Sequence, residues 1–171
     1  TVIILTKNEE KNIVRCIKSV RFADEILVVD DYSTDNTVKL AKQYKAKVIN
    51  RALNDNFASQ RNFALKKASN KWVLFVDADE VITNLLAREL KKLLGTPNIH
   101  AEGFLLKRID FMWGQKLRFG DTRIKIVRLV QKDQGNWERK VHEVLIVQGR
   151  IKELVNPIYH YPHQNIRELV S

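Results

Sequence analysis

The sequence is short of cysteine and of long apolar runs. Cys16 is its one cysteine, so an intramolecular disulfide is excluded, and its place in a helical pattern indicates a core residue. No stretch approaches the roughly 20 apolar residues that a membrane-spanning helix needs. The chain opens directly into apolar residues 2–5 without a basic segment before them, so we expect no signal peptide. Together these features predict a cytoplasmic location.

Several signatures of cofactor and metal sites are also missing. The motifs GxGxxG and GxxxxGK[ST] do not occur, which argues against a dinucleotide-dependent oxidoreductase and against a P-loop enzyme. No spacing of cysteine and histidine is typical of structural zinc. The chemistry of this chain must therefore depend on other side chains.

Charge of one sign is in excess. Lysine and arginine outnumber aspartate and glutamate by 30 to 20, which gives a formal net charge of +10. Such a surface attracts nucleic acid, anionic lipid or phosphorylated substrates, and charge alone does not choose between them. A non-enzymatic basic binding module is therefore one open interpretation. It lacks a nucleic-acid motif with interleaved aromatic residues, and we expect no nucleic-acid partner.

The first half of the chain alternates apolar strands with helical patterns. The pattern predicts strands at 2–5, 25–30, 46–50 and 72–77, and helices at 11–20, 37–44, 58–68 and 85–94. This alternation predicts an α/β fold of parallel βαβ units with helices on both faces of the sheet. Ligands of such sheets bind beyond the carboxyl ends of the strands.

The rhythm changes after residue 95. Strands are predicted at 103–111, 124–130 and 144–147 without helices between them. We therefore expect the second half to add antiparallel strands and loops to the parallel sheet.

Polar residues cluster where three of the parallel strands end, at 6–9, 30–33 and 77–80. Because neighbouring parallel strands end at the same edge, these clusters should lie together. Local structure offers another interpretation, since Thr6 and Glu9 have the spacing of a capping box and residues 33–35 are able to cap the next helix. Capping does not explain the third cluster, because no helix begins close to it.

The third cluster contains Asp77 and Asp79. In an extended segment, residues two apart face the same side, so these carboxylates are placed to hold a divalent cation together. Mg²⁺ and Mn²⁺ favour oxygen ligands and often complete their shell with substrate phosphates. The alternative is a haloacid-dehalogenase-type phosphatase with Asp77 as nucleophile and Asp79 as general acid. That family carries its motif on the first strand, and a matching later acidic pair is missing here.

Four segments follow the predicted strand ends and helix starts. They are TKNEE at 6–10, VVDDYSTDNT at 28–37, QRNFA at 60–64 and FVDADE at 75–80. In order and spacing they resemble the family 2 glycosyltransferases of the GT-A fold. The resemblance implies a GT-A nucleotide-diphospho-sugar transferase fold, with a parallel βαβ sheet and antiparallel strands added in the second half. It also implies one catalytic domain, with residues 1–95 binding the nucleotide and residues 96–171 forming the acceptor side.

Carried over residue by residue, the resemblance places Thr6 and Glu9 against the base or ribose and Asp31 against the base. Arg61 is expected to steady the diphosphate. Lys7 departs from the family, because an aromatic residue often stacks on the base there. Tyr32 departs as well, because it replaces a common glycine.

The same resemblance implies a metal site. Asp77 is expected to contact both the nucleotide sugar and the metal, with Asp79 as a second ligand and His160 completing the site. The implied cofactor is Mn²⁺ or Mg²⁺. His142 is expected not to be a ligand.

The second half resembles the family more loosely. RIKIVRL at 123–129 and WERKVHE at 137–143 are similar to a subgroup that includes lipopolysaccharide-core β-glucosyltransferases. This resemblance assigns Glu143 as the general base. Trp113 and Trp137 are candidates for stacking on an acceptor sugar, although aromatic residues in strands are more often core.

The function implied is inverting transfer of a sugar, expected to be UDP-linked, to a hydroxyl of a glycan or lipid-linked glycan. The charge of +10 and the subgroup resemblance together predict peripheral contact with the inner face of an anionic membrane. Relatives continue beyond the point where this sequence ends, so we expect part of the acceptor side to be missing at the C-terminal end.

Overall fold

The computed structural model describes residues 1–112, 115–116 and 124–162. The first half contains the strands β1 (Val2–Thr6), β2 (Ile26–Asp30), β3 (Lys47–Asn50), β4 (Trp72–Asp77) and β5 (Glu80–Ile82), and the helices α1 (Ile13–Ser19), α2 (Thr37–Gln43), α3 (Phe57–Lys67) and α4 (Asn84–Leu94). The second half contains β6 (Gly103–Met112), β7 (Gln115–Lys116), β8 (Lys125–Gln131), β9 (Gly135–Glu138), β10 (Val144–Val147), β11 (Ile151–Glu153) and β12 (Ile158–His160).

One sheet organises the fold. Its strand order is β3-β2-β1-β4-β8-β6-β12-β5, with β7 and β11 also paired to β6. The strands β3, β2, β1 and β4 are parallel, and β8 and β6 continue the sheet in antiparallel pairing. The predicted α/β sheet with added antiparallel strands is therefore confirmed. A separate hairpin of β9 and β10 lies beside it.

Helices cover both faces of the sheet. On one face, α1, α2 and α4 bury an apolar cluster that includes Ile13, Cys16, Ile17 and Val20, all fully inaccessible. On the other face, α3 packs with the β9–β10 hairpin against a second cluster centred on Phe75. The helical spacing of the apolar residues of α1 predicted this burial. Within the described residues, no helix is both long and apolar enough to cross a lipid bilayer.

Local structure differs from the prediction at the first polar cluster. Thr6 is the last residue of β1, and α1 begins only at Ile13 after Asn12. The capping-box interpretation of Thr6 and Glu9 is therefore wrong. The chain instead turns sharply at Asn8, whose φ is 55°, before the helix starts.

The short strands β5 and β12 were not predicted. Ile158, Tyr159 and His160 pair antiparallel with β5 and parallel with β6. A three-residue strand such as β12 shows too little alternation of apolar and polar residues to be predicted from its own sequence. Its pairing partners also lie about 50 to 80 positions away in the chain. This pairing brings the end of the described chain to the carboxyl edge of the sheet.

Candidate active site

A cavity of about 480 Å³ lies at the carboxyl edge of the parallel strands. It is lined by Leu5, Thr6, Lys7, Glu9, Val29, Asp31, Leu53, Phe57, Gln60, Arg61, Asp77, Ala78, Asp79, Glu143 and His160. All eight residues that the sequence assigned to the site are among them: Thr6, Glu9, Asp31, Arg61, Asp77, Asp79, Glu143 and His160. The ends of the parallel strands and helix α3 contribute to the wall of the cavity. Glu143, directly before β10, and His160, in β12, complete it.

Asp77 lies between two arginines. Its Oδ1 is 2.8 Å from Nη2 of Arg61, and its Oδ2 is 2.6 Å from Nη2 of Arg128. Arg128 also approaches Oε1 of Glu80 at 3.3 Å, and Oε2 of Glu80 accepts the backbone N–H of Asp77. Both oxygens of Asp77 are thus already bound by guanidinium groups.

These contacts fix the charge states of the cluster. Burial acts to raise the pKa of Asp77, but the charges of Arg128 and Arg61 outweigh it and hold that pKa well below its usual range. Burial raises the pKa of Glu80, and the charge of Arg128 only partly opposes this. Burial also acts to lower the pKa of Arg128, yet Asp77 and Glu80 together raise it. Asp77 and Arg128 therefore form an ion pair at neutral pH.

Arg61 connects this cluster to Glu143. Its Nε lies 2.9 Å from Oε1 of Glu143, while its guanidinium stacks over the ring of Trp137 at 4.7 Å. Among the described residues, Nη1 of Arg61 has no hydrogen-bond partner. Because a buried donor without a partner is costly, this atom is suited to an anionic ligand.

The side chain of Trp137 is not exposed for stacking on an acceptor sugar. Its side chain is buried and meets Phe75 edge-on at 5.0 Å. The core interpretation of Trp137 is therefore correct. Trp113 lies outside the described residues. His142 is exposed and is not among the residues that line the cavity.

Asp79 faces a different neighbour from Asp77. Residues 78 and 79 form a turn rather than extended chain, so the extended conformation expected for this segment is wrong, although both carboxylates line the same cavity. Oδ2 of Asp79 lies 3.3 Å from Nε2 of His160, and Nδ1 of His160 lies 2.9 Å from Oδ1 of Asp110. Burial alone would lower the pKa of His160, but hydrogen bonds to Asp79 and Asp110 raise it.

The side chains at this end of the cavity supply few ligands for a divalent cation. Within the described part of the chain, no three His, Cys, Asp or Glu side chains gather into a metal site of their own. Asp79 and His160 nevertheless present an oxygen and a nitrogen to the cavity, and Asp77 lines the same cavity with each of its oxygens already contacted by one arginine. Two protein ligands suit Mg²⁺ or Mn²⁺ when substrate phosphates complete the shell. The residues therefore fit a cation that binds together with a diphosphate.

The opposite end of the cavity contains Asp31. Its Oδ1 accepts the backbone N–H of Leu53 at 2.9 Å, and its Oδ2 is 2.7 Å from Nζ of Lys7. The hydrogen bond from Lys7 is the main cause that lowers the pKa of Asp31. Lys7 thus replaces aromatic stacking with an ion pair. Oγ1 of Thr6 is buried nearby and has no hydrogen-bond partner in the described chain.

Sequence reasoning missed three residues of this region: Arg128, Glu80 and Asp110. A signal for Arg128 existed, since it stands within the otherwise apolar run of β8, where a buried arginine must be paired. Glu80 is fully buried beside Arg128. It stands in the same polar cluster as Asp77 and Asp79, but only the two aspartates were predicted to have a role. No local signal pointed to Asp110, because its contact depends on the pairing of β6 with β12.

Comparisons with known proteins identify the family and the fold. The sequence profile of Glycosyl transferase family 2 matches residues 1–110. An uncharacterized glycosyltransferase of Rickettsia typhi is 33% identical over 98% of this chain and 62% of its own length. The lipopolysaccharide core biosynthesis glycosyltransferase LpsC of Rhizobium meliloti is 30% identical over 86% of this chain and 57% of its own length. The chain thus spans about three fifths of the length of the curated relatives it matches.

Solved structures share the fold. S. aureus TarS, crystallised with UDP, superposes with a TM-score of 0.70 at 21% identity, covering 94% of this chain and 59% of that one. Glucosyl-3-phosphoglycerate synthase of M. tuberculosis, in complex with phosphoglyceric acid, gives a TM-score of 0.61 at 16% identity, covering 98% and 73%. The fold is that of GT-A glycosyltransferases. On the matched residues 1–110 and the similarity to its relatives, this chain belongs to glycosyl transferase family 2.

Proposed function

We propose that this protein transfers a sugar from a nucleoside diphosphate to a hydroxyl group of a glycan or lipid-linked glycan, with inversion at the anomeric carbon. The observation that carries the proposal is the convergence of eight side chains from distant segments on one cavity of about 480 Å³. Family membership supports the reaction class. We also propose that residues 1–95 bind the nucleotide and that residues 96–171 form the acceptor side of one catalytic domain.

The nucleotide end of the cavity supports uridine as the base. Asp31 is held as a carboxylate by Lys7 and the N–H of Leu53, and a carboxylate accepts a hydrogen bond from the N3–H of uracil. Thr6 offers an unpartnered hydroxyl beside it, and Glu9 also lines this part of the cavity. The complexes of TarS with UDP and UDP-GlcNAc are a precedent on the same fold.

The diphosphate lies, in this proposal, between Arg61 and the pair of Asp79 and His160. Nη1 of Arg61 supplies an unused donor, and Asp79 with His160 would hold Mn²⁺ or Mg²⁺. When bound, the cation supplies positive charge that stabilises the leaving diphosphate. Asp77 orients Arg61 through one oxygen and Arg128 through the other, and the remaining lone pairs of its carboxylate would contact the cation and the nucleotide sugar.

Glu143 serves as general base. Its carboxylate lines the cavity and is oriented by Nε of Arg61 at 2.9 Å. It takes the proton of the acceptor hydroxyl while that oxygen attacks the anomeric carbon, and the bond from this carbon to the diphosphate oxygen breaks. The phosphatase alternative has no support in the site, because it needs Asp77 as a free nucleophile.

The acceptor is proposed to be presented at an anionic membrane surface. The net charge of +10 supports this, as does the name of LpsC, a lipopolysaccharide core enzyme. A basic surface is drawn to anionic lipid by electrostatic attraction.

A ligand screen tests the proposal. A molecule that binds only the folded state raises its melting temperature, so UDP-linked sugars should stabilise the protein with Mn²⁺ and much less with a chelator. Incubation with the stabilising donor should then release UDP, in the presence of an acceptor glycan or slowly by hydrolysis. If no nucleoside diphosphate sugar stabilises the protein in either condition, the proposal is wrong.

A further inference from the structure

His160 is held in place from two sides. It is the last residue of β12, where its register partners are Glu80 on β5 and Asp110 on β6. The N–H of Tyr161 donates to the carbonyl oxygen of Asp79 at 3.0 Å. The backbone therefore fixes where the imidazole stands, but it leaves rotation about the side-chain bonds free.

Charged side chains contact both nitrogens of the imidazole and restrict that rotation. Oδ1 of Asp110 lies 3.0 Å from Nε of Arg108 and 2.9 Å from Nδ1 of His160, and Nε2 of His160 faces Oδ2 of Asp79 at 3.3 Å. The side chains of Asp110 and His160 are only 17% and 16% exposed. Water therefore competes poorly for the contact between them.

We propose that Asp110 is a positioning residue for the metal site. It accepts the Nδ1–H of His160 and so keeps the proton on that nitrogen, which leaves Nε2, the nitrogen that faces Asp79, as the one that would give up its proton to a cation bound between the two side chains. Arg108 attracts the same oxygen of Asp110 by its charge, although its Nε forms no hydrogen bond within the described residues. Imidazole ligands are commonly oriented by such a carboxylate, whose loss typically weakens metal binding by about 10–100-fold.

This inference rests on the proposed function, in which a divalent cation binds between Asp79 and His160. The fold itself does not depend on the carboxylate. The strand β12 is kept in register by its backbone pairing with β6 and by the rings of Tyr159 and Tyr161, which pack on Phe111 at 4.8 and 5.1 Å. Removal of the Asp110 carboxylate should therefore change the imidazole and leave the strand in place.

Electron paramagnetic resonance of free Mn²⁺, in titrations with saturating UDP, measures the effect directly. Asp110→Ala should weaken Mn²⁺ binding by about 10–100-fold. Asp110→Asn keeps an oxygen that accepts the Nδ1–H and should recover most of the affinity. Glu153→Gln is the matched control, because Glu153 likewise forms an ion pair with a basic residue of β6, Lys107, but is remote from His160. The Mn²⁺ affinity of this variant should equal that of the wild type.

A second readout needs no metal. Nitrogen-15 chemical shifts of histidine distinguish the two neutral tautomers, and Asp110→Ala should shift His160 away from the Nδ1–H form, whereas Glu153→Gln should not. Wild-type Mn²⁺ affinity in Asp110→Ala, together with weak binding in His160→Ala, would overturn the positioning role alone. Unchanged affinity in His160→Ala would overturn the metal assignment of the proposed function and this inference with it.

Discussion

Nε of Arg61 and Oε1 of Glu143 lie 2.9 Å apart, although the two residues are 82 positions apart in the chain. The same guanidinium binds Asp77 through Nη2. One buried arginine on α3 thereby fixes the positions of the proposed base and of the first aspartate of the DAD segment. Arg61 is therefore the central residue of the site. The carboxylates of the site differ in their contacts, so mutation of each one should have a different effect.

Glu143→Gln should separate chemistry from binding. Glutamine still accepts the hydrogen bond from Arg61 but does not accept the proton of the acceptor, and general base catalysis is typically worth about 10²–10⁴ in rate. Turnover should fall by that factor while the affinities for UDP and Mn²⁺ stay close to wild type. Transfer kinetics and calorimetry measure the two effects. Glu138→Gln, at an exposed position nearby, is the control, and loss of turnover there instead would identify Glu138 as the base.

Asp77 and Asp79 should behave differently when each is replaced by alanine. Asp77→Ala removes the shared partner of Arg61 and Arg128, but each arginine keeps a second carboxylate, so the free energy of unfolding should fall by about 1–3 kcal/mol, the cost of unmade buried hydrogen bonds. Asp79→Ala should leave stability almost unchanged and abolish the effect of Mn²⁺ on UDP binding. Urea unfolding and calorimetry with Mn²⁺ or chelator provide the comparison. Equal UDP affinities with Mn²⁺ and with chelator in the wild type would rule out the metal.

Arg128→Met should strongly destabilise the protein. The side chain of Arg128 is only 8% exposed and binds Asp77 and Glu80, so its loss leaves the fully buried Glu80 without a cation, while Asp77 keeps Arg61. The expected decrease in the free energy of unfolding is about 3–5 kcal/mol. Arg88→Met, at an exposed position of α4, should stay within about 0.5 kcal/mol of wild type. Similar unfolding midpoints for the two variants would contradict the assigned role of Arg128.

UDP should be preferred over CDP. In the proposed function the Asp31 carboxylate accepts the N3–H of uracil, and cytosine lacks that donor. A hydrogen bond to a charged group is worth about 1.5–3 kcal/mol, which sets the expected difference in binding free energy. TDP should compete as well, because thymine keeps the N3–H. Competition among UDP, TDP, CDP and GDP tests this, and Asp31→Ala should remove the discrimination. A wild type that prefers CDP or GDP would show that Asp31 does not recognise the base.

Anionic vesicles should bind the protein at low salt. The attraction derives from the net charge of +10, and salt near 0.1 M shortens its range to roughly 10 Å. Co-sedimentation with phosphatidylglycerol vesicles should therefore weaken steadily as salt is added, and neutral phosphatidylcholine vesicles serve as the control. Equal sedimentation with both lipids would argue against electrostatic membrane contact.

The sequence predicted the parallel half of the fold because its strands and helices are long enough to show their periodicity. The site residues Thr6, Asp31 and Asp77 were found because they lie at or directly after the ends of parallel strands, whose carboxyl ends converge by geometry alone. Glu143 and His160 were placed by resemblance to the family. Their convergence with the other side chains became visible only in three dimensions.

The contacts that organise the site were beyond prediction for a physical reason. Arg128 reaches Asp77 because β8 pairs antiparallel with β4, and Asp110 reaches His160 because β12 pairs with β6. Neither pairing has a local signature. The different orientations of Asp77 and Asp79 depend on a turn between them, which the apolar pattern of β4 does not indicate.

The position of β12 also has a consequence for how the protein is made. During synthesis the N-terminal segments leave the ribosome first and begin to fold first, whereas β12 must close loops of 50 and 80 positions to reach β6 and β5. Closing such loops costs entropy and slows folding. His160 should consequently join Asp79 late, after the parallel sheet has formed. A growing chain would then bury its core before it gains the ability to capture metal.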